Sequence, residues 1–328
     1  MQFLPTAEQR DFARSLDAML SAADTPAAAR AWAGGDPGPG RALWTRLAEA
    51  GVFALAAPEE YEGLGPLPVE LTHALVESGR HAVPGPLVET VAATALLADL
   101  AERGEPGPAK RLLPGLVGGG AMATLALTGV SPLALDADRA DPVLVVTGAE
   151  LRIAPGHGEV RVSADPARRL ARPAPGGELL AAGPAVAAAA GTARRWALLA
   201  TAAQALGVGL ALLDRSVAYA RQRTQFGAPI GSFQAVKHRL ADTLIGLEFA
   251  RPLVFGAALT FESGDLAAAK AAAGEAAYAA ADTALRVHGA IGYTEELDLS
   301  LWLRKARPLR DAWGTPSWCR AQVVAAAS

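Results

Sequence analysis

The sequence predicts a mainly α-helical protein in which a small β domain separates an N-terminal helical domain from a C-terminal four-helix bundle. Three changes of pattern along the chain carry that expectation. Helix-type periodicity, broken by Gly and Pro, runs from Thr6 to about Gly104. Short β-prone runs separated by Gly, Pro and Asp occupy the stretch from about Gly119 to Gly183, and from Pro184 the chain turns rich in Ala and Leu. The expected domains are 1–118, 119–183 and 184–328. A chain of 328 residues that is 51% hydrophobic and 19% charged has the apolar side chains for a sizeable core.

In the first zone, Thr6-x-x-Gln9 reads as a capping box that opens a helix. GGDPGPG ends one helical segment and RALWTRLAEAGV starts another, with Leu43, Leu47 and Val52 spaced for one buried face. The loop APEEYEGLGPLP precedes helices around Val69 to Ser78 and Val88 to Arg103. The second zone offers ATLALTG, PVLVVTG, ELRIAP and EVRVSA as strands. The third divides into four long helical segments, 186–222, 232–263, 265–288 and 295–325. In the second of these Val236, Leu240, Leu244 and Leu247 fall on one face, and Gly289 follows the third as a C-cap. Alternating Ala runs suit close antiparallel packing with an extensive subunit interface.

Charge and cysteine content exclude several classes. With 30 basic and 33 acidic residues the net charge is −3, so no electrostatic footprint for nucleic acid exists. The single cysteine, Cys319, rules out an internal disulfide, and no Cys/His spacing suggests a metal. A reducing, cytoplasmic setting is expected, with no secretory signal in MQFLPTAEQRDFARSL. The run from Trp196 to Leu213 is apolar, yet Thr201 and Gln204 interrupt it, and it is expected to be a buried core helix and no membrane span.

Two stretches have a more specific pattern: AYARQRTQFGAPIGSFQAVKHRLAD at 218–242 and ALRVHGAIGYTEELDLSLWLRKAR at 284–307. Together they resemble the C-terminal domain of the acyl-CoA dehydrogenase family, with its R-x-x-F-G-x-P-I, F-Q-x-x-x-x-x-L-A-D and H-G-x-x-G-[FY]-T elements in order. PEEYEGLG and LW-x-x-L-A-x-x-G near the N-terminus are similar to that family too. The resemblance implies the three-part fold described above. It also implies a reaction in which a glutamate takes the α-proton of an acyl-CoA thioester while the N5 of FAD accepts the β-hydride. Each FAD in such enzymes lies between two subunits: one holds the ring and supplies the base, and the neighbour's bundle grips the ADP part. By the resemblance, the grip residues here are Arg223, Gln225 and Phe226 from R-T-Q-F-G, and Arg286, Gly289, Ala290 and Gly292 from RVHGAIG. A guanidinium matches a pyrophosphate through two donors, and glycines permit close backbone approach. Arg286 and Ala290 depart from the family's usual Gln and Gly. His288 reads as a packing or capping residue.

The sequence departs from the family where the chemistry should be. Against R-D-A-x-x-x-x-I-Y-E-G-T, the segment RKARPLRDAWGT places Trp313 at the base position, with Gly314 and Thr315 in register. An indole donates a hydrogen bond but has no accessible lone pair for a proton. The family's alternative base position, at the start of the first bundle helix, falls on Ala197 or Leu198, both inert. Glu248, Glu262, Asp282, Glu295 and Glu296 read as solvated helix faces or caps. The ring-cradling elements of the middle domain are reduced too: LTGVSP at 127–132 is a remnant of the T-E-P-like loop, and no Trp lies between Trp44 and Trp196.

What a subunit uses for its own flavin is therefore damaged, while what it offers a neighbour survives. This pattern is similar to the short, base-less subunits of the two-plus-two heterotetrameric acyl-CoA dehydrogenases of actinobacterial steroid side-chain degradation. The expectation is a non-catalytic chain that shares FAD with a partner subunit bearing an intact Glu, the acyl-CoA being held mainly by that partner. Two alternatives stay open at this level: a self-sufficient homo-oligomeric flavoenzyme with an unrecognised base, and a flavin-free scaffold or acyl-CoA-binding protein.

Overall fold

The computed structural model describes residues 4–327. Six helices form the N-terminal part: α1 (Ala7–Ser21), α2 (Thr25–Gly34), α3 (Gly38–Glu49), α4 (Pro68–Arg80), α5 (Leu87–Glu102) and α6 (Gly107–Val117). The capping box at α1 is formed, with Gln9 N–H on Thr6 Oγ1 at 3.2 Å and Thr6 N–H on Gln9 Oε1 at 2.9 Å. Leu43, Leu47 and Val52 are all buried, although Val52 already belongs to the 3-10 turn that follows α3.

Strands β1 (Thr124–Leu127), β2 (Ala134–Leu135), β3 (Val143–Thr147), β4 (Glu150–Ile153), β5 (Arg161–Val162), β6 (Arg169–Ala171) and β7 (Glu178–Ala182) follow. They make two small sheets, β1-β3-β4-β7 and β2-β6-β5, with β1 parallel to β3 and the other pairs antiparallel. The four β-prone runs of the sequence correspond to β1, β3, β4 and β5. The two-residue β2, the three-residue β6 and β7 carry too little pattern of their own.

The C-terminal part contains α7 (Pro184–Gln222), a hairpin of β8 (Thr224–Gln225) and β9 (Ala228–Pro229), α8 (Gln234–Thr260), α9 (Ser263–His288), α10 (Leu299–Asp311) and α11 (Pro316–Ala326). The expected fourth helix over 295–325 is in fact two helices. Gly314, the N-cap Thr315 and Pro316 at the first helical position break it, since proline lacks the N–H that would continue the ladder.

Helix α7 is the axis of the molecule, packed against α4, α5, α9 and α10. Its apolar window is 100% buried, which accounts for the Trp196–Leu213 run as core. Backbones of α4 and α7 meet where a Cβ on Gly79 would fall 2.2 Å from the Gln204 carbonyl and one on Gly207 would fall 2.0 Å from that of Val76. Any side chain there would force the two helices apart. Trp302 of α10 is fully buried, and its Nε1 donates to the carbonyls of Gly79 (3.2 Å) and Arg80 (2.9 Å), the otherwise orphaned end of α4. Burying a side chain of that size contributes roughly 2–3 kcal/mol.

Helix α8 differs. Leu247 is buried, but Leu244, expected on the same inner face, is exposed with Ile245, Phe249, Leu253 and Leu259. The second long apolar window, within α8, is only 28% buried in the single chain. A monomer seldom leaves an apolar row of this length in water.

Candidate active-site cleft and cofactor-contact turns

The base position lies at the break between α10 and α11. Ala312 ends α10 in an extended conformation, and Trp313 takes φ +60°, a left-handed geometry that costs a non-glycine residue about 1 kcal/mol or more. Lys270 of α9 holds the loop: its Nζ donates to the Arg310 carbonyl at 2.8 Å and the Gly314 carbonyl at 3.1 Å. Burial pushes the Lys270 ammonium down to about 8, because the interior disfavours its charge. Above that pH the folded chain sheds a proton that the unfolded chain keeps up to the ordinary lysine range. This group therefore adds stability as pH rises from about 8. The expected result is that the melting temperature of the parent rises relative to that of Lys270→Met from pH 7 to pH 10; a constant difference between the two would contradict it.

Trp313 is 3% exposed, and its Nε1 donates to Glu89 Oε1 of α5 at 3.2 Å. Glu89 is itself 4% exposed, and its Oε2 has no partner among the described residues. Both residues line a cleft of about 270 Å³ whose walls include Val130, Ser131 and Pro132 from the LTGVSP remnant, Arg168 beside β6, and Asp311. That volume lies below the roughly 300–1,000 Å³ of ordinary ligand pockets. The cleft as it stands is small for a flavin ring stacked on a thioester. Behind the cleft, Asp136 is fully buried and accepts from Trp32 Nε1 at 3.2 Å; burial pushes its carboxyl up to about 7. Lys305 of α10 and Asp165 pair at 3.0 Å, tying the bundle to the β region.

The other carboxylates behave as the sequence indicates. Glu248 pairs with Arg251 at 2.9 Å, Asp282 with Arg286 at 2.8 Å and Glu295 with Arg304 at 2.6 Å, all on exposed faces, and Glu262 and Glu296 are exposed. Ala197 and Leu198 are buried and apolar. Glu89 is the carboxylate that sequence reasoning missed. Its only signal is an acidic residue inside the apolar run LVETVAATALLADL.

The two proposed grip elements meet at one end of the bundle. Tyr219 in the last turn of α7 stacks on His288 at the end of α9, with ring centroids 4.2 Å apart. Nδ1 of His288 bonds the Ala284 carbonyl at 2.8 Å and burial lowers its pKa, which makes it a neutral packing residue. Beyond Tyr219, Arg223 caps α7 and leads into a two-residue hairpin turn of Phe226 (φ +54°) and Gly227 (φ +77°), positive at both positions as a tight hairpin requires. Phe226 is 94% exposed at the tip. Arg223 is exposed, and its guanidinium makes no ion pair among the described residues. Gln225 Nε2 donates back to the Thr224 carbonyl at 2.9 Å. After α9, Gly289 takes φ +65° and opens a 3-10 turn through Ala290, Gly292 and Tyr293, the last 75% exposed. Arg286 is engaged on Asp282, so it must exchange that partner to meet any anion. An unpaired guanidinium, an exposed ring and backbone turns in one place can hold an anionic group such as a pyrophosphate.

Known families agree with this architecture. Residues 6–120 match the Acyl-CoA dehydrogenase N-terminal domain and residues 186–327 the Acyl-CoA dehydrogenase C-terminal domain. The chain belongs to the acyl-CoA dehydrogenase family, whose members bind FAD. It is 36% identical over 303 residues to the acyl-CoA dehydrogenase IpdE2 of Mycobacterium tuberculosis, covering 91% of each chain. Among solved structures it is similar to a chain of the ChsE4-ChsE5 complex of Mycobacterium tuberculosis, with a TM-score of 0.85, 25% identity, and 99% and 98% of the two chains covered. A chain of the Tcur3481-Tcur3483 steroid ACAD gives the same TM-score, 0.85, at 25% identity, with 98% of this chain and 99% of that chain covered.

Proposed function

We propose that this chain is the non-catalytic subunit of a heteromeric FAD-dependent acyl-CoA dehydrogenase. It donates the ADP-contact half of an FAD site whose ring half and base belong to a glutamate-bearing partner. The observation that carries this reading is Trp313: the base position holds a buried indole whose one polar hydrogen is committed to Glu89. The proton-accepting step therefore has no group in this loop. When bound, the flavin supplies hydride acceptance; the residues of this chain position it from outside. Arg223, and Arg286 once released from Asp282, would hold its phosphates, Gln225 and Phe226 would shape the hairpin that reaches across, and Gly289, Ala290 and Gly292 would let the backbone approach.

The exposed apolar row of α8 suits burial against a second bundle, consistent with a two-plus-two heterotetramer. Steroid side-chain CoA esters are the substrate class we assign to the complex. The support is the likeness to the steroid ACAD and to IpdE2. A cytoplasmic location accords with the lone buried Cys319.

Expressed alone, the chain should purify nearly colourless, with a flavin absorbance far below one FAD per chain. A yellow, active homo-oligomer would contradict the reading and favour a second one, to which Glu89 gives a specific handle as a buried carboxylate with one unpartnered oxygen. In that case Glu89→Gln should abolish turnover, whereas on our reading there is no turnover in the isolated chain to abolish.

A further inference from the structure

Away from the cleft, on the other side of α5, two pockets lie side by side. Ala98 stands nine residues beyond Glu89, half a turn round the helix, so it faces away from Trp313. There a pocket of about 370 Å³ is walled by Pro58, Pro66, Ala95, Ala98, Trp196 and Phe261. A second pocket of about 290 Å³ is walled by Arg103, Arg194, Arg195, Leu198 and Trp318. Thr192 of α7 lines both and marks where they meet.

The second pocket is electrostatically one-sided. Arg103 is neutralised by Asp99 at 2.6 Å, but neither Arg194 nor Arg195 has a carboxylate within 4.0 Å among the described residues. Arg194 lies with its Cζ 3.7 Å from the Trp318 ring, and its Nε is buried without a hydrogen-bond partner. Arg195 donates to Thr192 Oγ1 at 3.2 Å and lies 5.5 Å from the Phe261 ring. Stacking holds the two guanidinium planes in place without neutralising them. Burial lowers the pKa of Arg194, so the interior leaves that charge under-compensated.

The geometry points to a site for an anionic amphipath. Its carboxylate or phosphate head sits between Arg194 and Arg195, and its aliphatic tail runs past Thr192 into the apolar pocket. Pro, Ala and aromatic side chains make up most of that pocket's wall, and Asp99 and Glu102 also line it, so a negatively charged tail is disfavoured there and an aliphatic one is favoured. The site depends on neither flavin nor a partner subunit, so it stands or falls separately from the function proposed above.

Trp196 and Trp318 sit one in each pocket, which makes tryptophan emission of the full chain the direct readout. Laurate, dodecyl phosphate, lauroyl-CoA and the uncharged dodecanol are the probes. Saturable emission changes with the anionic probes are expected, with dodecanol at least on the order of tenfold weaker. Preference among laurate, dodecyl phosphate and lauroyl-CoA then identifies the head group. In Arg194→Gln/Arg195→Gln, laurate should fall to the affinity of dodecanol. If that variant melts early, Arg195→Gln alone carries the test of the head, and Ala98→Phe, which fills the apolar arm, tests the tail. Absence of saturable binding by every anionic probe would overturn the site, as would dodecanol binding as tightly as laurate, or laurate affinity unchanged in the folded arginine variants.

Discussion

Arg223→Ala in the assembled complex should weaken FAD retention by roughly ten- to more than a hundredfold, although this subunit supplies no catalytic residue. Arg223 is the residue that caps α7 before the hairpin, exposed and without an ion pair among the described residues, so its loss costs the isolated chain little. In the complex the same side chain is a charge-assisted donor to a pyrophosphate. Such a bond contributes about 1.5–3 kcal/mol, which corresponds to the stated loss of affinity. Flavin remaining after dialysis, measured beside the melting temperature, separates the two roles. Bleached but folded protein is the expected outcome; full flavin content would mean Arg223 only ends a helix.

Trp313→Glu, the change that restores the family's residue, should give no dehydrogenase activity in the isolated chain and should destabilise it by about 3–5 kcal/mol. The indole lines the cleft and donates to Glu89, both residues being nearly inaccessible to water. A glutamate at that position removes the packing, removes the donor, and sets a second carboxylate beside the first where neither can be hydrated. Adding Glu89→Gln should recover part of the lost stability, because it removes the like charge. Turnover with a panel of acyl-CoA thioesters and an artificial electron acceptor checks the chemistry. Robust activity in Trp313→Glu would show that only the base had been lost and that the cleft can still open around a flavin ring.

Much of this was readable in the residues themselves. The capping box of Thr6 and Gln9, the C-cap at Gly289, the buried α7 and the change from helical to strand pattern near residue 119 all rest on short-range rules, and local signals suffice for them. Trp313 was placed by register within RDAWGT. The break after α10 is also present in the sequence, as Gly314-Thr315-Pro316, but helix-favouring residues on both sides of it read as one continuous segment. Leu244 was misplaced because helical spacing alone cannot tell a face packed within the chain from a face left for another chain. Glu89 was illegible for a different reason. Its meaning depends on Trp313, 224 residues away, and a single carboxylate in an apolar helix has no periodic signature. The pairing of Tyr219 with His288, which brings the two cofactor-contact turns together, is likewise a tertiary fact.

The most direct test of the shared site is the flavin count of the heteromer. Co-expressed with a glutamate-bearing partner and purified as a complex, the protein should hold one FAD for each pair of chains, from flavin absorbance referenced to the concentration of each subunit. One FAD for every chain would contradict the account, because it would require the cleft lined by Trp313 and Glu89 to hold a flavin of its own.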